Sequence, residues 1–340
     1  MRALFIAILA LWTSVLFAAE QPRGQAANPV VADPELAKLP KGINPAVLKA
    51  EVLLDRAGFS PGVIDGRGGD NFRKALAAFQ RANNLDAAGK LDDATLSKLM
   101  GASQDPILVD YEITPADVKG PFAPRIPRKL EDMARLPRLS YTGAREALAE
   151  RFHMDEGLLK TLNPKAAFDR AGTRIVVASV ARMDAPPTET TASASPNSGG
   201  GEPKVAKIEV NKRERALRAL DKDGNLVAFY PASIGSAEKP APSGTFKVRA
   251  IAQDPTYRYD PKFAFKEVKA KHKFTIQPGP NNPVGVVWID LSAPSYGIHG
   301  TPNPEKIGKT ESHGCVRLTN WDVLALAKMV RKGTEVVFVD

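Results

Sequence analysis

The fold of this chain is decided by two stretches, Ile298-His299-Gly300-Thr301 and Glu311-Ser312-His313-Gly314-Cys315-Val316-Arg317-Leu318. They bring the single cysteine and two of the four histidines into seventeen positions. A thiol needs a nearby base or a positive field to become a thiolate near neutral pH, and imidazole can supply either. The cluster is therefore a candidate active site with Cys315 as its nucleophile.

Two other interpretations of this cluster have to be weighed. A lone cysteine is most often a small buried apolar residue, and a histidine on an apolar strand is usually a hydrogen-bonded core residue. A zinc site is the second alternative, because histidine and cysteine are both zinc ligands. No second cysteine exists, however, and neither CxxC nor HExxH spacing occurs. We therefore expect neither a metal nor another cofactor.

The glycines of the two stretches are expected to shape the backbone around the thiol and the imidazole. Gly314 precedes the thiol, and glycine allows backbone conformations that other residues resist. It also lets amide N–H groups come close to the carbonyl that the thiol attacks, which suits an oxyanion hole. Gly300 is expected to do the same beside His299.

The combination of HGT at 299–301 with SHGCVRL at 312–318 resembles the signature of the L,D-transpeptidases (YkuD-like), bacterial enzymes that cross-link or trim peptidoglycan. Residues 241–246 are similar to the substrate-side turn of that family, and residues 286–292 to the strand before HGT. The resemblance covers roughly residues 204–340. It implies a peptidoglycan stem peptide as substrate, cleaved after its third residue with release of D-alanine.

The resemblance also implies the catalytic roles. Spacing alone does not decide which histidine is the base, because His313 would share a strand face with Cys315. The family points to the histidine of HGT, so His299 is expected to accept and donate the proton. Ser312 and His313 would then shape the pocket, and the amides of Gly314 and Cys315 would hold the oxyanion.

Four further residues form the predicted substrate-binding set. Arg317 would bind a substrate carboxylate as a bidentate fork, or would lie in a structural ion pair. Tyr296 is expected to line the same site. Gly300 and Thr301, next to His299, complete the set.

The acceptor of the acyl group is left open by the sequence. A stem peptide would give cross-links, a protein acceptor would give wall anchoring, and water would make the enzyme an L,D-carboxypeptidase. Two hypotheses of other classes are a non-catalytic wall-binding protein and a thiol redox or zinc protein. The intact HGT and SHGC elements argue against the loss of activity.

The first nineteen residues predict export. One positive charge, a short apolar run and small residues at its end describe a signal peptide over residues 1–19. Phe17 is bulky for the position two before a cleavage after Ala19, so an uncleaved membrane anchor remains an alternative. Either way the predicted location is the periplasm or cell envelope. Residues 20–41, rich in proline and alanine, are expected to be a disordered spacer.

Residues 42–101 predict a small all-α domain. Apolar residues recur at helical spacing in three runs. The first extends from Asn44 to a turn at Gly58-Phe59-Ser60-Pro61-Gly62, and the others lie at 71–83 and 92–100. The order of these helices and turns is similar to the peptidoglycan-binding domain found beside many wall enzymes.

The middle of the chain predicts a small α+β module. Six prolines make residues 105–137 loop-like. Residues 138–181 then contain a weak strand at Ser140-Tyr141, two helical runs and a closing strand near 172–177. This order resembles a LysM module, which would bind the glycan of the wall.

A flexible linker over residues 182–203 precedes the last domain, and it would tether that domain to the binding modules. Residues 204–340 read mainly as strand, with one helix from Asn320 to Val330. The predicted fold is thus multidomain, ending in an antiparallel β-sandwich or barrel with a packed helix.

The charge of the chain is concentrated in this last domain. Of the net +9, residues 204–340 contribute +8, from 22 basic and 14 acidic residues. A basic surface can steer anionic polymers towards a protein. Export and the lack of a groove-reading pattern argue against nucleic acid, so a carboxylate-rich wall polymer is the expected partner.

Overall fold

The structure, a computed structural model, describes residues 36–180, 205–263, 270–312 and 314–340. These residues form a helical domain, a small α+β middle module and a mainly β C-terminal domain, which confirms the predicted fold class. The predicted signal peptide and the whole of the predicted linker lie outside the described residues. Among the helices that are described, none has the length and apolar character needed to cross a bilayer.

The helical domain contains the three predicted helices. They are α1 (Pro45–Arg56), α2 (Asp70–Ala82) and α3 (Asp93–Ala102). The Asn44 side chain accepts hydrogen bonds from the first amides of α1, and Asp92 does the same for α3. The predicted spacer is wrong at its end, because Leu36 is buried in the core of this domain instead of being disordered.

The middle module is a two-stranded antiparallel sheet with four short helices. Its elements are β1 (Leu108–Glu112), α4 (Pro115–Lys119), α5 (Leu130–Met133), α6 (Ala144–Arg151), α7 (Glu156–Leu162) and β2 (Arg174–Ala178). Strand β1 pairs with β2 along its whole length. The helices α6 and α7 and the strand β2 lie where the sequence predicts them.

Two expectations for this module are wrong. Residues 140–141 are not a strand, since the partner of β2 comes from the segment that was predicted as a loop. That segment also forms α4, because Pro115 occupies the first turn of a helix, where its missing N–H costs nothing. Thr114 and Asp117 complete the start of this helix as a reciprocal capping pair.

The C-terminal domain is built on one nine-stranded sheet with the order β5-β4-β3-β13-β7-β10-β11-β12-β6. Its strands are β3 (Lys207–Asn211), β4 (Ala216–Leu220), β5 (Leu226–Pro231), β6 (Ser233–Ile234), β7 (Gly244–Gln253), β10 (Val287–Leu291), β11 (Gly297–His299), β12 (Val316–Arg317) and β13 (Glu335–Val339). The two edge strands β5 and β6 are separated only by Ala232, so the sheet curls until its edges approach each other.

Two smaller elements complete this domain. Strands β8 (Tyr257–Tyr259) and β9 (Phe274–Ile276) form a separate antiparallel ribbon. Helix α8 (Asn320–Met329) begins at Thr319, whose hydroxyl accepts a hydrogen bond from the Asp322 amide, and it packs against β10 and β11. Pairing is mainly antiparallel, with parallel pairs only at β3–β13 and β11–β12 among the described strands.

The helical domain and the middle module pack directly on the C-terminal domain. Phe229 of β5 belongs to the same apolar core as α1 and α2, and its backbone exchanges hydrogen bonds of 2.9 Å with Gly58 and Ser60. His153 of the middle module stacks on Trp321 of α8 with ring centroids 5.0 Å apart. The N-terminal parts are therefore docked, which differs from the expectation of separate modules on a flexible tether.

Candidate active site

The two sequence stretches meet because β11 and β12 are neighbouring parallel strands. Ile298 lies opposite Val316, and His299 lies opposite Arg317. Side chains alternate along a strand, and Ile298 and Val316 are completely buried in the sheet's core. His299, Arg317 and Cys315, which directly precedes β12, therefore face the other side of the sheet together.

That side of the sheet opens into a cavity of about 1420 Å³. Four of the predicted site residues line it, namely His299, Cys315, Arg317 and Tyr296. Other contributions come from β10, from the β8–β9 ribbon, from the loop before β7 and from the middle module. The lining includes Arg128, Lys129, Leu130, Glu131, Glu238, Lys239, Pro240, Tyr257, Arg258, Tyr259, Asp260, Pro283, Val284, Trp288 and Ser295.

His299 is held as a neutral imidazole of one tautomer. Its Nδ1 lies 2.7 Å from the carbonyl oxygen of Gly300, and since a carbonyl only accepts, Nδ1 carries the hydrogen. Nε2 therefore keeps its lone pair. Burial lowers the pKa of His299 to about 3, and the charge of Arg317 adds to this. The ring stacks on Trp288, its partner across β10 and β11, at 5.4 Å between centroids.

Cys315 is held as a neutral thiol. Burial raises the pKa of Cys315 above its ordinary value, while the Gly297 amide and the charges of Arg317 and Lys239 oppose this shift. The sulfur lies 3.8 Å from the carbonyl oxygen of Ser295 and donates a weak hydrogen bond to it. At rest, the site thus combines a protonated nucleophile with an unprotonated base.

Gly314 is required by both backbone conformation and space. Its φ of +106° lies in a region that side chains rarely allow. A Cβ at this position would lie 2.9 Å from Cε1 of Tyr296. Tyr296 in turn donates a hydrogen bond of 3.2 Å from its hydroxyl to the Pro240 carbonyl, so the ring that packs on the Gly314 turn is itself anchored.

Ser312 lies beneath the cavity instead of lining it. It is buried, its hydroxyl accepts a hydrogen bond from the Gly235 amide at 2.7 Å, and it donates to the carbonyl oxygen of Cys315. The hydroxyl therefore fixes the backbone that carries the thiol to the loop after β6. The other predicted pocket-shaping residue, His313, lies outside the described residues.

Gly300 and Thr301 also lie outside the cavity lining. The Gly300 amide donates to the Val287 carbonyl at 3.3 Å, and a Cβ on Gly300 would collide with the side chain of Asn320. Gly300 is needed for close packing here, which differs from the backbone freedom expected beside His299. Thr301 is buried, and its hydroxyl accepts a hydrogen bond from the Asn303 amide.

Two aromatic residues of the site were missed by the sequence analysis. Burial raises the pKa of Tyr257 to about 12, and repulsion from Cys315 in its ionised form adds to this shift, so a neutral phenol lies beside the thiol. Trp288 forms the stacking wall of His299. Tyr257 is 58 positions before Cys315 on a separate ribbon, and nothing in the local sequence connects it to the site. The alternation of residues 286–292 could have placed Trp288 on the face of His299.

The described part of the chain contains no group of three or more His, Cys, Asp or Glu side chains that could hold a metal ion. Cys315 is accompanied there by His299, Arg317 and Tyr257, which are proton-transfer and hydrogen-bonding groups. The chemistry that this arrangement supports is nucleophilic attack by sulfur with proton transfer through imidazole.

Comparisons with known proteins identify two domain families. The model of an L,D-transpeptidase catalytic domain, YkuD, matches residues 206–338, and that of a putative peptidoglycan binding domain matches residues 44–99. Putative L,D-transpeptidase YqjB of Bacillus subtilis is 34% identical over 139 residues, which cover 39% of this chain and 70% of the relative. Putative L,D-transpeptidase YkuD of Bacillus licheniformis is 36% identical over 130 residues, 38% of this chain and 63% of the relative.

Solved structures give weaker matches. An L,D-transpeptidase from Mycobacterium smegmatis has 22% identity and a TM-score of 0.32, over 40% of this chain and 59% of the other. L,D-transpeptidase 3 from Mycobacterium tuberculosis has 18% identity and a TM-score of 0.33, over 41% and 62%.

Proposed function

Because this chain belongs to the YkuD family of L,D-transpeptidase catalytic domains, we propose that it is a peptidoglycan L,D-transpeptidase with Cys315 as nucleophile and His299 as base. One observation carries the proposal. The thiol and an imidazole whose Nε2 is unprotonated project from adjacent parallel strands into the same cavity.

The first half-reaction forms an acyl-enzyme. The sulfur of Cys315 attacks a peptide carbonyl carbon of the stem peptide, the thiol proton passes to Nε2 of His299, and the carbonyl electron pair moves onto oxygen. The amides of Gly314 and Cys315 hold this oxyanion. As the carbonyl re-forms, the C–N bond breaks and His299 returns its proton to the departing amine of D-alanine. A thioester on Cys315 remains.

The second half-reaction reverses these steps with a new acceptor. An amine attacks the thioester, gives its proton to His299, and the C–S bond breaks with return of the proton to sulfur. A stem-peptide amine gives a cross-link, an amine of a wall-anchored protein gives attachment, and water gives a trimmed peptide. The three outcomes share one acyl-enzyme, so they differ only in the molecule that reaches it.

In this proposal the thiolate forms only during attack, and the charges around the site support that order of events. Arg317 stabilises a thiolate and disfavours an imidazolium, and burial disfavours both ions when they are apart. Moving the proton while the carbonyl oxygen becomes negative avoids a separate ion pair in the cavity. The neutral phenol of Tyr257 can donate a hydrogen bond to the sulfur or to the substrate.

The helical domain supplies affinity for the same polymer in this proposal. Residues 44–99 match a peptidoglycan binding domain model, and the substrate polymer lies outside the cytoplasm. We accordingly propose export to the periplasm or cell envelope. The LysM-like assignment of the middle module stays a prediction.

Mass spectrometry of muropeptides incubated with the purified protein tests this function. Wild-type protein should remove D-alanine and yield cross-linked, attached or trimmed products, whereas Cys315→Ala should yield none. Turnover in Cys315→Ala that is comparable to wild type would overturn the assignment of the nucleophile.

A further inference from the structure

One wall of the catalytic cavity belongs to the middle module. Residues 128–131, at the start of α5, line the same cavity as Cys315 and His299. These residues are remote in sequence from the reacting strands, and neither domain family match extends over them. The cavity is therefore a composite of two parts of the chain.

This wall is fixed to the C-terminal domain. Arg138, shortly after α5, forms a bidentate ion pair with Asp254 at 2.7 and 3.0 Å. The amide of Leu139 donates to the Pro278 carbonyl at 2.8 Å, and α5 packs against β9. A wall held in this way keeps its side chains at a defined distance from the thiol, as a binding surface requires.

The charges that line the cavity are unequal in sign. Five basic residues line it, namely Arg128, Lys129, Lys239, Arg258 and Arg317, against three acidic residues, Glu131, Glu238 and Asp260. Asp260 is paired with Lys273 at 2.7 Å. Within the described residues, Arg128 and Lys129 have no ion-pair partner. The middle module thus presents two unpaired positive charges to a cavity that already carries excess positive charge.

The size of the cavity leaves room for a ligand that reaches this wall. Its volume of about 1420 Å³ exceeds the roughly 300–1,000 Å³ of an ordinary small-molecule pocket. A guanidinium binds carboxylates through a planar fork, and an ammonium adds a point charge. Both side chains come from outside the reacting strands, so they face a part of the substrate other than the carbonyl that is attacked.

We propose that Arg128 and Lys129 form a carboxylate subsite that selects peptides by a free carboxylate next to the bond that is broken or formed. This inference rests on the proposed function. The carboxylate can belong to the acyl donor or to the acceptor, and both present the same chemistry to these two residues. The middle module is on this account a specificity element of the enzyme.

The test combines charge removal on the enzyme with charge removal on the substrate. The double variant Arg128→Gln/Lys129→Gln is compared with wild type on a soluble stem peptide and on the same peptide with its C-terminal carboxylate amidated. In a second arm, a free amino acid and its amide serve as acceptors. The matched control is Arg125→Gln, which removes one charge from the same segment at a residue that does not line the cavity.

The proposal predicts a rise in KM of about fivefold for one carboxylate substrate, with kcat within about twofold of wild type. The KM of the same variant for the amidated form should not change. The arm of the experiment in which KM rises shows whether the carboxylate belongs to the donor or to the acceptor. Binding of the donor peptides to Cys315→Ala protein, with and without the two Gln substitutions, should repeat the donor arm without turnover.

Three results would overturn the subsite. They are an unchanged KM in both arms, an equal rise for the amidated substrates, and an equal effect of Arg125→Gln. Each leaves the proposed function intact as long as wild-type protein turns over and Cys315→Ala does not. Loss of wild-type turnover would instead remove the function itself, and the two failures are therefore distinguishable.

Discussion

At the scale of the residue, the resting charges of Cys315 and His299 determine how the thiol reacts. Burial raises the pKa of the Cys315 thiol and lowers that of the His299 imidazole, and both shifts disfavour a thiolate–imidazolium pair before substrate binds. Alkylation of the free enzyme should consequently be slow from pH 5 to 8 and rise only at a higher pH than for an ordinary cysteine, whose pKa is about 8.5. A plateau of fast alkylation between pH 5 and 8 would show a preformed ion pair and contradict these pKa directions.

His299→Gln separates the base from the nucleophile. We expect turnover to fall by about 10²–10⁴-fold, because proton transfer from the attacking thiol and to the leaving amine is lost. The alkylation profile of Cys315 against pH should move little, since the neutral imidazole does not stabilise the thiolate at rest. Turnover close to wild type, with folding verified by circular dichroism, would exclude His299 as the base.

Gly314→Ala tests the turn that carries the thiol. The added methyl group combines a left-handed backbone with a contact of 2.9 Å to Tyr296, and the backbone strain alone costs about 1–3 kcal/mol. Both stability and turnover should fall. Gly224→Ala is the control, since its φ is +83° with no atom within 4 Å of the added Cβ. It should lower the Tm and leave kcat unchanged, and an equal loss of kcat would contradict a local effect at Gly314.

At the scale of the element, a buried contact chain connects α6 of the middle module to β11. The Asn320 amide at the start of α8 donates to Glu150 of α6 at 3.0 Å, and its oxygen accepts from the Val286 amide. The same Asn320 side chain fills the space against Gly300, next to His299. The position of the base therefore depends on a residue of another module.

Glu150→Leu and Glu150→Gln measure this dependence. Burial raises the pKa of Glu150 to about 8, so the carboxyl is neutral at pH 7 and glutamine can replace it. We expect Glu150→Leu to lower kcat by on the order of tenfold with little change in KM. Glu150→Gln should keep most of the wild-type kcat. The control is Glu156→Gln, which removes an exposed ion pair with Arg145 in the same module. It should leave kcat unchanged. Equal losses for Gln and Leu would contradict a positioning role through hydrogen bonding.

The sequence predicted long elements well and short ones poorly, for physical reasons. The helices at 45–56, 70–82 and 320–329 have apolar periodicity within one window, and the first and last of them also have a capping side chain. Strands β11 and β12 have three and two residues, and they exist because neighbouring strands complete their hydrogen bonds. The motif predicted Cys315 and His299 as site residues, and both line the cavity, whereas Tyr257 and residues 128–131 reach it only through tertiary folding.

At the scale of the whole molecule, the N-terminal parts are docked on the C-terminal domain, and we expect the catalytic fold to depend on them. Deletion of residues 36–180 would expose Phe229, break the Arg138–Asp254 pair and remove the contact between Glu150 and Asn320. Activity on a small soluble peptide should fall together with activity on intact sacculi, and the Tm should drop. A truncated protein with full activity on the soluble peptide would support independent wall-holding modules instead.

The free energy of unfolding should depend on pH in two opposite ways, falling towards high pH because of two buried glutamates and towards low pH because of His299. Burial raises the pKa of Glu51 and Glu150 from 4.5 to about 8, so the folded state binds more protons and stability falls as pH rises from 4.5 to 8. Burial lowers the pKa of His299 from 6.5 to about 3. Between these pH values the histidine is neutral in the folded state and protonated in the unfolded chain, so stability falls as pH drops from 6.5 to 3. Thermal unfolding across pH 3–9 should show the decline above pH 6, reduced in Glu150→Gln. An unchanged decline above pH 6 in that variant would contradict the assignment.

The central claim is that an acyl group is carried on Cys315. The most direct measurement is intact-protein mass spectrometry after brief incubation with a stem peptide, followed by peptide mapping of the modified residue. The expected adduct raises the mass of the protein by that of the stem peptide minus one D-alanine, lies on Cys315, and persists longer in the absence of an amine acceptor. Turnover without any adduct on Cys315, or an adduct that maps to another residue, would contradict it.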